Sequence, residues 1–152
     1  MAQTIPWTPP EWNEIGETSD SRIYEVEAGI VAIVPYVGCD DTEATALEKT
    51  RVVNEHYRRA GRKGTVLVFV DPIRRQDRSA RRVYQDDSVH NPLVLGTALV
   101  GNSALGRAIG SFFLGFAKLN IPLQMFATLE DALPWCRAIN TEAGQTDPEK
   151  EK

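Results

Sequence analysis

The stretch Thr65-Val-Leu-Val-Phe-Val70 decides the fold. It is short, uncharged and β-branched at four of its six positions. A run of this kind predicts a strand buried on both faces, as at the centre of a parallel sheet. Gly61 and Gly64 stand just before it. Upstream of them, Ala46, Thr50, Val53, Tyr57 and Ala60 recur at spacings of three and four, with Leu47 beside them. That spacing places them on one face of a helix. Asp40, Asp41 and Thr42 offer its N-cap, and the two glycines bracket its end. Before the helix, Ile23, Tyr24 and Val26 lead through Ala28-Gly29 to Ile30–Val34. These residues predict two strands joined by a tight turn.

Downstream, Asp77 is placed to cap a second helix running to about Asp86. Val94–Val100 reads as a third apolar strand, and Ser103 as the cap of a helix from Ala104 to about Lys118. Leu123–Phe126 is a last short strand. Thr128 and Asp131 form a capping box for a final helix to about Ile139. Pro134 falls inside that helix, where a proline costs about 3 kcal/mol unless it sits in the first turn or at a kink. Strands alternating with helices predict one α/β layered domain over residues 22–140. Residues 1–21 hold Pro6, Pro9, Pro10, Trp7 and Trp12 and read as an arm, loose or laid across the domain. Residues 141–152 carry no large apolar side chain and read as a disordered tail.

The chain of 152 residues has a formal net charge of -4, with 42% hydrophobic and 25% charged residues. These are values of a soluble globular protein, and they exclude a collagen or a coiled coil. No run approaches the ~20 apolar residues of a membrane span. The first ten residues lack the basic and apolar pattern of a signal peptide. Two distant cysteines, Cys39 and Cys136, read as a free, reduced pair in a cytoplasm.

The charge is unevenly spread. Residues 1–57 hold eleven acids and three bases, whereas 58–82 hold nine bases and two acids. The basic belt can attract an acidic partner, a phosphate or an anionic surface, or simply pair with the protein's own acids. Nucleic acid is not expected as a partner, because the whole chain is acidic and no aromatics interleave with the arginines.

No catalytic constellation stands out. His56 and His90 are the only histidines, and no zinc-ligand spacing or other metal motif exists. Asp86, Asp87, Ser88 and His90 include the residue types of a hydrolytic triad, but neighbours in one segment are poor evidence for its geometry. Gly101 and Gly106 mimic the spacing of a phosphate loop, yet Arg107 and Ala108 replace its lysine and hydroxyl residue. Ser103 and the free amides of that helix end remain as a conceivable anion site, with Arg107 nearby. Phe112, Phe113, Leu114 and Phe116 spread over more than one helix face. Part of that segment enters the core; the rest meets the arm, a second subunit, a lipid or a hydrophobic ligand.

Three stretches, Asp77–Tyr84, Gly96–Gly115 and Pro122–Trp135, resemble an uncharacterised bacterial family of the STAS-like superfamily (sulfate transporter and anti-sigma factor antagonist). That superfamily is grouped by fold with the CRAL-TRIO lipid-binding domains. The resemblance covers about residues 22–139. It implies a single STAS-like domain: a four- to five-stranded, mostly parallel sheet with about four helices, and no enzymatic activity or cofactor. It also implies a protein partner held by the second helix and its preceding loop, here Arg74, Arg75, Asp77, Arg78, Ser79 and Arg82. Founding members carry Asp-Ser at the start of that helix, with the serine phosphorylated. Here Asp77 matches the aspartate, Arg78 stands in the serine's place, and Ser79 follows. The usual phosphoserine switch is therefore not implied, although a phosphate on Ser79 would lie in a helix first turn near Arg75, Arg78 and Arg82.

The expectation is a non-catalytic, cytoplasmic regulatory or protein-interaction module, with a homodimer as one form of partner. The alternative is a hydrophobic small-ligand or lipid-binding protein using Phe112, Phe113, Leu114 and Phe116.

Overall fold

The computed structural model describes residues 11–91, 93–115 and 121–144. In chain order the elements are β1 (Asn13–Glu17), β2 (Ser21–Glu27), β3 (Ile30–Pro35), β4 (Cys39–Asp41), α1 (Glu43–Ala60), β5 (Gly64–Phe69), β6 (Ile73–Gln76), α2 (Arg78–His90), β7 (Val94–Val100), α3 (Ala104–Gly115), β8 (Leu123–Phe126) and α4 (Leu129–Glu142). The apolar run at 65–70 supplies β5, which lies inside a sheet ordered β1-β2-β3-β5-β7-β8. β1, β2 and β3 pair antiparallel; β3, β5, β7 and β8 pair parallel. β4 and β6 form a separate two-stranded parallel ribbon.

This is the expected α/β domain with four helices, but the main sheet has six strands rather than four or five. The additional strand comes from the segment read as an arm. Its prolines stop at Pro10, and Asn13–Glu17 adds to the edge of β2, where a strand is paired on one side only. Trp12 is buried beside it, with ring centroids 6.1 Å from Tyr24 and 6.3 Å from Phe69. Trp7 and residues 145–152 lie outside the described residues, as do Phe116 and the side chains of Phe112, Phe113 and Leu114.

Register fixes the two faces of the sheet. Ala32, Leu67 and Ala98 are aligned across β3, β5 and β7, and pack with Ala132 and Cys136 of α4. One residue along, Val31, Val66 and Thr97 are aligned, as are Ile33, Val68 and Leu99. Val31, Ile33 and Val66 pack with Val53 and Tyr57 of α1, and Leu99 with Ile109 of α3. Burial of each large side chain such as Leu67 contributes about 1.5–3 kcal/mol.

Local signals act as the sequence predicts at most ends. Thr42 caps α1, its side chain accepting from the Thr45 amide, and Gly61 closes it at φ 69°. Gly29 turns the β2–β3 hairpin at φ 87°, which an L side chain resists. Ser103 accepts from the Gly106 amide, and Thr128 from that of Asp131. Asp77 holds the N-cap position of α2 but makes no side-chain capping bond. α2 runs on to His90 and α4 to Glu142, with Pro134 inside.

Candidate functional site

The predicted arginine surface divides into two parts. Arg74 and Arg75 are the exposed residues of β6 in the small ribbon, whose Ile73 and Gln76 are buried. Arg74 forks onto Asp40, with Nε at 2.9 Å and Nη2 at 2.7 Å from its two oxygens. Hydrogen bonds from Arg74, outweighing a small desolvation, hold the Asp40 carboxyl below the usual carboxylate range. Arg75 lies 3.8 Å from Asp40 and 3.4 Å from Asp77. These two arginines are thus matched by the protein's own acids.

Arg78 and Arg82 are different. They lie one turn apart on α2, both are exposed, and neither has an ion pair among the described residues. Continuing at helical spacing, Asp86 and Val89 are exposed on the same side, Val89 at 58%. Ser79 is half-buried in the first turn. The structure therefore brings the predicted residues to one end of α2, and of their four arginines Arg78 and Arg82 have no ion pair among the described residues.

Below α2 lies a polar cluster that sequence reasoning did not single out. Lys49 of α1 is 3% exposed. Its Nζ donates to Asp20 Oδ2 at 2.8 Å and to Asp41 Oδ1 at 2.9 Å. Asp41 also accepts from Gln76 Nε2 at 2.9 Å and from the Tyr84 hydroxyl at 2.8 Å. Asp20 accepts from Thr18 and Ser21 hydroxyls. One buried ammonium thus joins the β1–β2 turn, β4, α1, β6 and α2. Burial alone would lower the Lys49 pKa, but the charges of Asp41 and Asp20 prevail and raise it. Burial raises the Tyr84 hydroxyl, with Asp41 adding to it. Burial likewise pushes the neighbouring Cys39 thiol up to about 11. A signal for this cluster was present: Lys49 stands three residues after Ala46 and four before Val53, on the apolar face of its helix. Asp20 was hidden in the supposed arm, and Asp41 among the candidate caps.

The remaining candidates resolve structurally. The α3 amide end is filled from within: Asp71, just beyond β5, accepts from Asn102 N at 3.0 Å and Ser103 N at 2.8 Å. Burial pushes the Asp71 carboxyl up, but those amides, the Ser103 hydroxyl and the Arg107 charge hold it below its ordinary range. Ser88 donates back to the Gln85 carbonyl at 2.7 Å, and His90 Nδ1 lies 2.9 Å from the Asp86 carbonyl. Both bonds are local to α2 and build no triad. His56 Nε2 lies 3.1 Å from Glu25. Cys39 and Cys136 are free thiols. No group of three metal-ligating side chains occurs among the described residues. None of their helices is long and apolar enough to cross a membrane.

The mostly parallel sheet with helices on both faces is an α/β fold similar to the STAS fold. The chain belongs to the family described as "Domain of unknown function (DUF7793)", whose model matches residues 25–140. Two solved structures share the fold. One is the anti-sigma factor antagonist SpoIIAA in its unphosphorylated form, with TM-score 0.51 and 16% identity, covering 77% of this chain and 97% of that one. The other is an uncharacterized protein from the DUF3478 family with a SpoIIAA-like fold, from Shewanella loihica PV-4. Its TM-score is 0.50 and its identity 15%, over 85% of this chain and 98% of that one. No curated protein matches the chain.

Proposed function

We propose that this protein is a non-catalytic, cytoplasmic regulatory module that binds an acidic protein partner through the exposed face of α2. The observation that carries the reading is the contrast among its arginines. Arg74 and Arg75 face Asp40 and Asp77, whereas Arg78 and Arg82 have no ion pair among the described residues. Uncommitted guanidinium groups one turn apart suit a carboxylate-bearing surface, because each can form bidentate, charge-assisted bonds. Val89, further along the same face, adds an apolar contact of the kind found inside interfaces. The SpoIIAA-like fold supports a regulatory role, since that neighbour is an anti-sigma factor antagonist. Arg78 in place of a serine argues for recognition without a phosphoserine switch. A second copy of this chain is one candidate partner.

The test is affinity capture from the native cell with wild-type protein and with the double variant Arg78→Glu/Arg82→Glu. The expected result is a stoichiometric partner with an acidic surface, released by salt and lost in the variant. Identical recovery by both proteins would overturn the reading.

A further inference from the structure

A cavity of about 100 Å³ lies between the sheet and the helices α1, α2 and α3. Val68, Thr97, Leu99 and Leu123 line it from the sheet, Val53 from α1 and Ile109 from α3. An apolar cavity of about 150 Å³ admits benzene, so this volume suits a guest of roughly four to six heavy atoms. The lining is mainly apolar, but α1, β4 and α2 bring Lys49, Asp41 and Asp87 to it.

These polar groups are not equally committed. Lys49 is spent on its two carboxylates, and both Asp41 oxygens accept bonds. Asp87 differs. Its Oδ1 accepts from Asn54 Nδ2 at 2.8 Å and Asn91 Nδ2 at 3.0 Å, while Oδ2 accepts nothing among the described residues. The Oδ1 of Asn54, the residue that holds Asp87, is itself buried without a partner. Both of these oxygens are acceptors. The charges that line the cavity agree: they are Asp41, Asp87 and Lys49, and Lys49 is already shared between Asp41 and Asp20. A guest that completes this site brings N–H or O–H donors, and a positive charge fits better than a neutral or negative one.

We propose that the cavity binds a small aliphatic amine, its hydrocarbon part against Val68, Thr97 and Leu99 and its ammonium group donating to Asp87 Oδ2. The inference does not rest on partner binding by α2, whose arginines lie on the exposed side of that helix.

The experiment is a titration of the full ¹⁵N-labelled chain with isopentylamine, isopentanol and isovalerate, followed by amide chemical shifts. Saturable shifts at Val68, Thr97 and Asp87 are expected with the amine, weaker ones with the alcohol, and none with the carboxylate. Asp87→Asn should weaken the amine by about tenfold or more and leave the alcohol unchanged. Thr97→Phe, which fills the space, should abolish both; circular dichroism confirms that each variant is folded, and either one alone suffices. Amine shifts that never saturate or that lie only on the outer surface would overturn the proposal. So would isovalerate binding as well as the amine, or undiminished amine binding by Asp87→Asn. The Arg78→Glu/Arg82→Glu variant should bind the amine like wild type whatever its effect on the protein partner.

Discussion

The α4 face of the sheet and the α1–α2 face solve the same packing problem with different materials. On the α4 face, Ala32, Leu67, Ala98, Ala132 and Cys136 meet at 0% exposure. The polar side chains buried at its end, Thr65 and Asn140, both donate to the Gly29 carbonyl. On the other face, the same sheet residues one position along meet α1 and α3, but a lysine, two carboxylates and a cavity share the space with them. Small residues let α4 lie close to the strands, which fixes one arrangement. A face carrying a buried charge and unfilled volume is held by fewer, more directional bonds. The comparison separates scaffold from site: a protein of this size could have closed both faces with hydrocarbon, and it closed only one.

The sharpest break of that comparison is Lys49→Met. It leaves Asp20 and Asp41 buried without their counter-ion, which costs about 3–5 kcal/mol when one partner of a buried pair is removed. Urea unfolding of the variant measures it. The sign of the linkage is also fixed: the Lys49 pKa is raised, so its contribution is full below the ordinary lysine value and is lost as pH rises through the folded value. The second break compares added volume on the two faces. Ala98→Val on the α4 face inserts carbon into a filled core and should cost about 1–3 kcal/mol. Its neighbour Thr97, aimed the other way at the cavity, should accept Val or Leu with little loss, or with a small gain. Equal penalties for Ala98→Val and Thr97→Leu would erase the distinction between the faces.

The two faces were not equally legible in the sequence. Strand β5, the stripe of α1 and the caps Thr42, Ser103 and Thr128 act locally, through period and hydrogen bonds to near neighbours, and so could be read directly. The α4 face follows from them, because it needs only apolar residues at a strand's period of two. The charged cluster depends on Asp20, Asp41 and Lys49, which are 29 and 8 residues apart along the chain. No local rule pairs them, and a lysine in a helix ordinarily means solvent. The arginine segment was legible as composition. Which arginines were already matched was not, because Asp40 reaches Arg74 only through the pairing of β4 with β6. β1 is hidden in the sequence because it follows closely on Pro6, Pro9 and Pro10, whose constraint on the backbone ends before Asn13.

A smaller effect is expected at the junction of β5 and α3. Asp71→Asn keeps the shape of the cap but removes the charge facing the helix amides, a loss of about 0.3–1 kcal/mol. The Asp71 carboxyl is held below its ordinary range in the folded state. Its stabilisation is therefore present above the unfolded value, and is lost as pH falls through the folded one. Wild type and variant should differ at pH 6 and converge as pH falls through the folded carboxyl's value, which lies below the ordinary aspartate range. A difference that persists unchanged in acid would mean that Asp71 acts through shape alone.

The least perturbing probe of the two faces is thiol reactivity, which leaves neutral-pH stability untouched. Cys136 lies in the α4 core at 0% exposure, and Cys39 borders the charged cluster and is only half-buried. Burial pushes both thiols from 9.0 to about 11, so at pH 8 little thiolate exists at either. Acidity therefore does not distinguish them; access does. Reaction with a small aromatic disulfide at pH 8 should be slow at Cys39 and should await unfolding at Cys136. Rates should rise toward pH 11 at Cys39 alone. In the same interval folding stability should decline, since the unfolded thiols ionise before the folded ones. Fast modification of Cys136 in the native state would show that the α4 face opens readily. The rigid side of the comparison would then have to be given up, and with it the argument that the unfilled volume opposite is a site rather than slack.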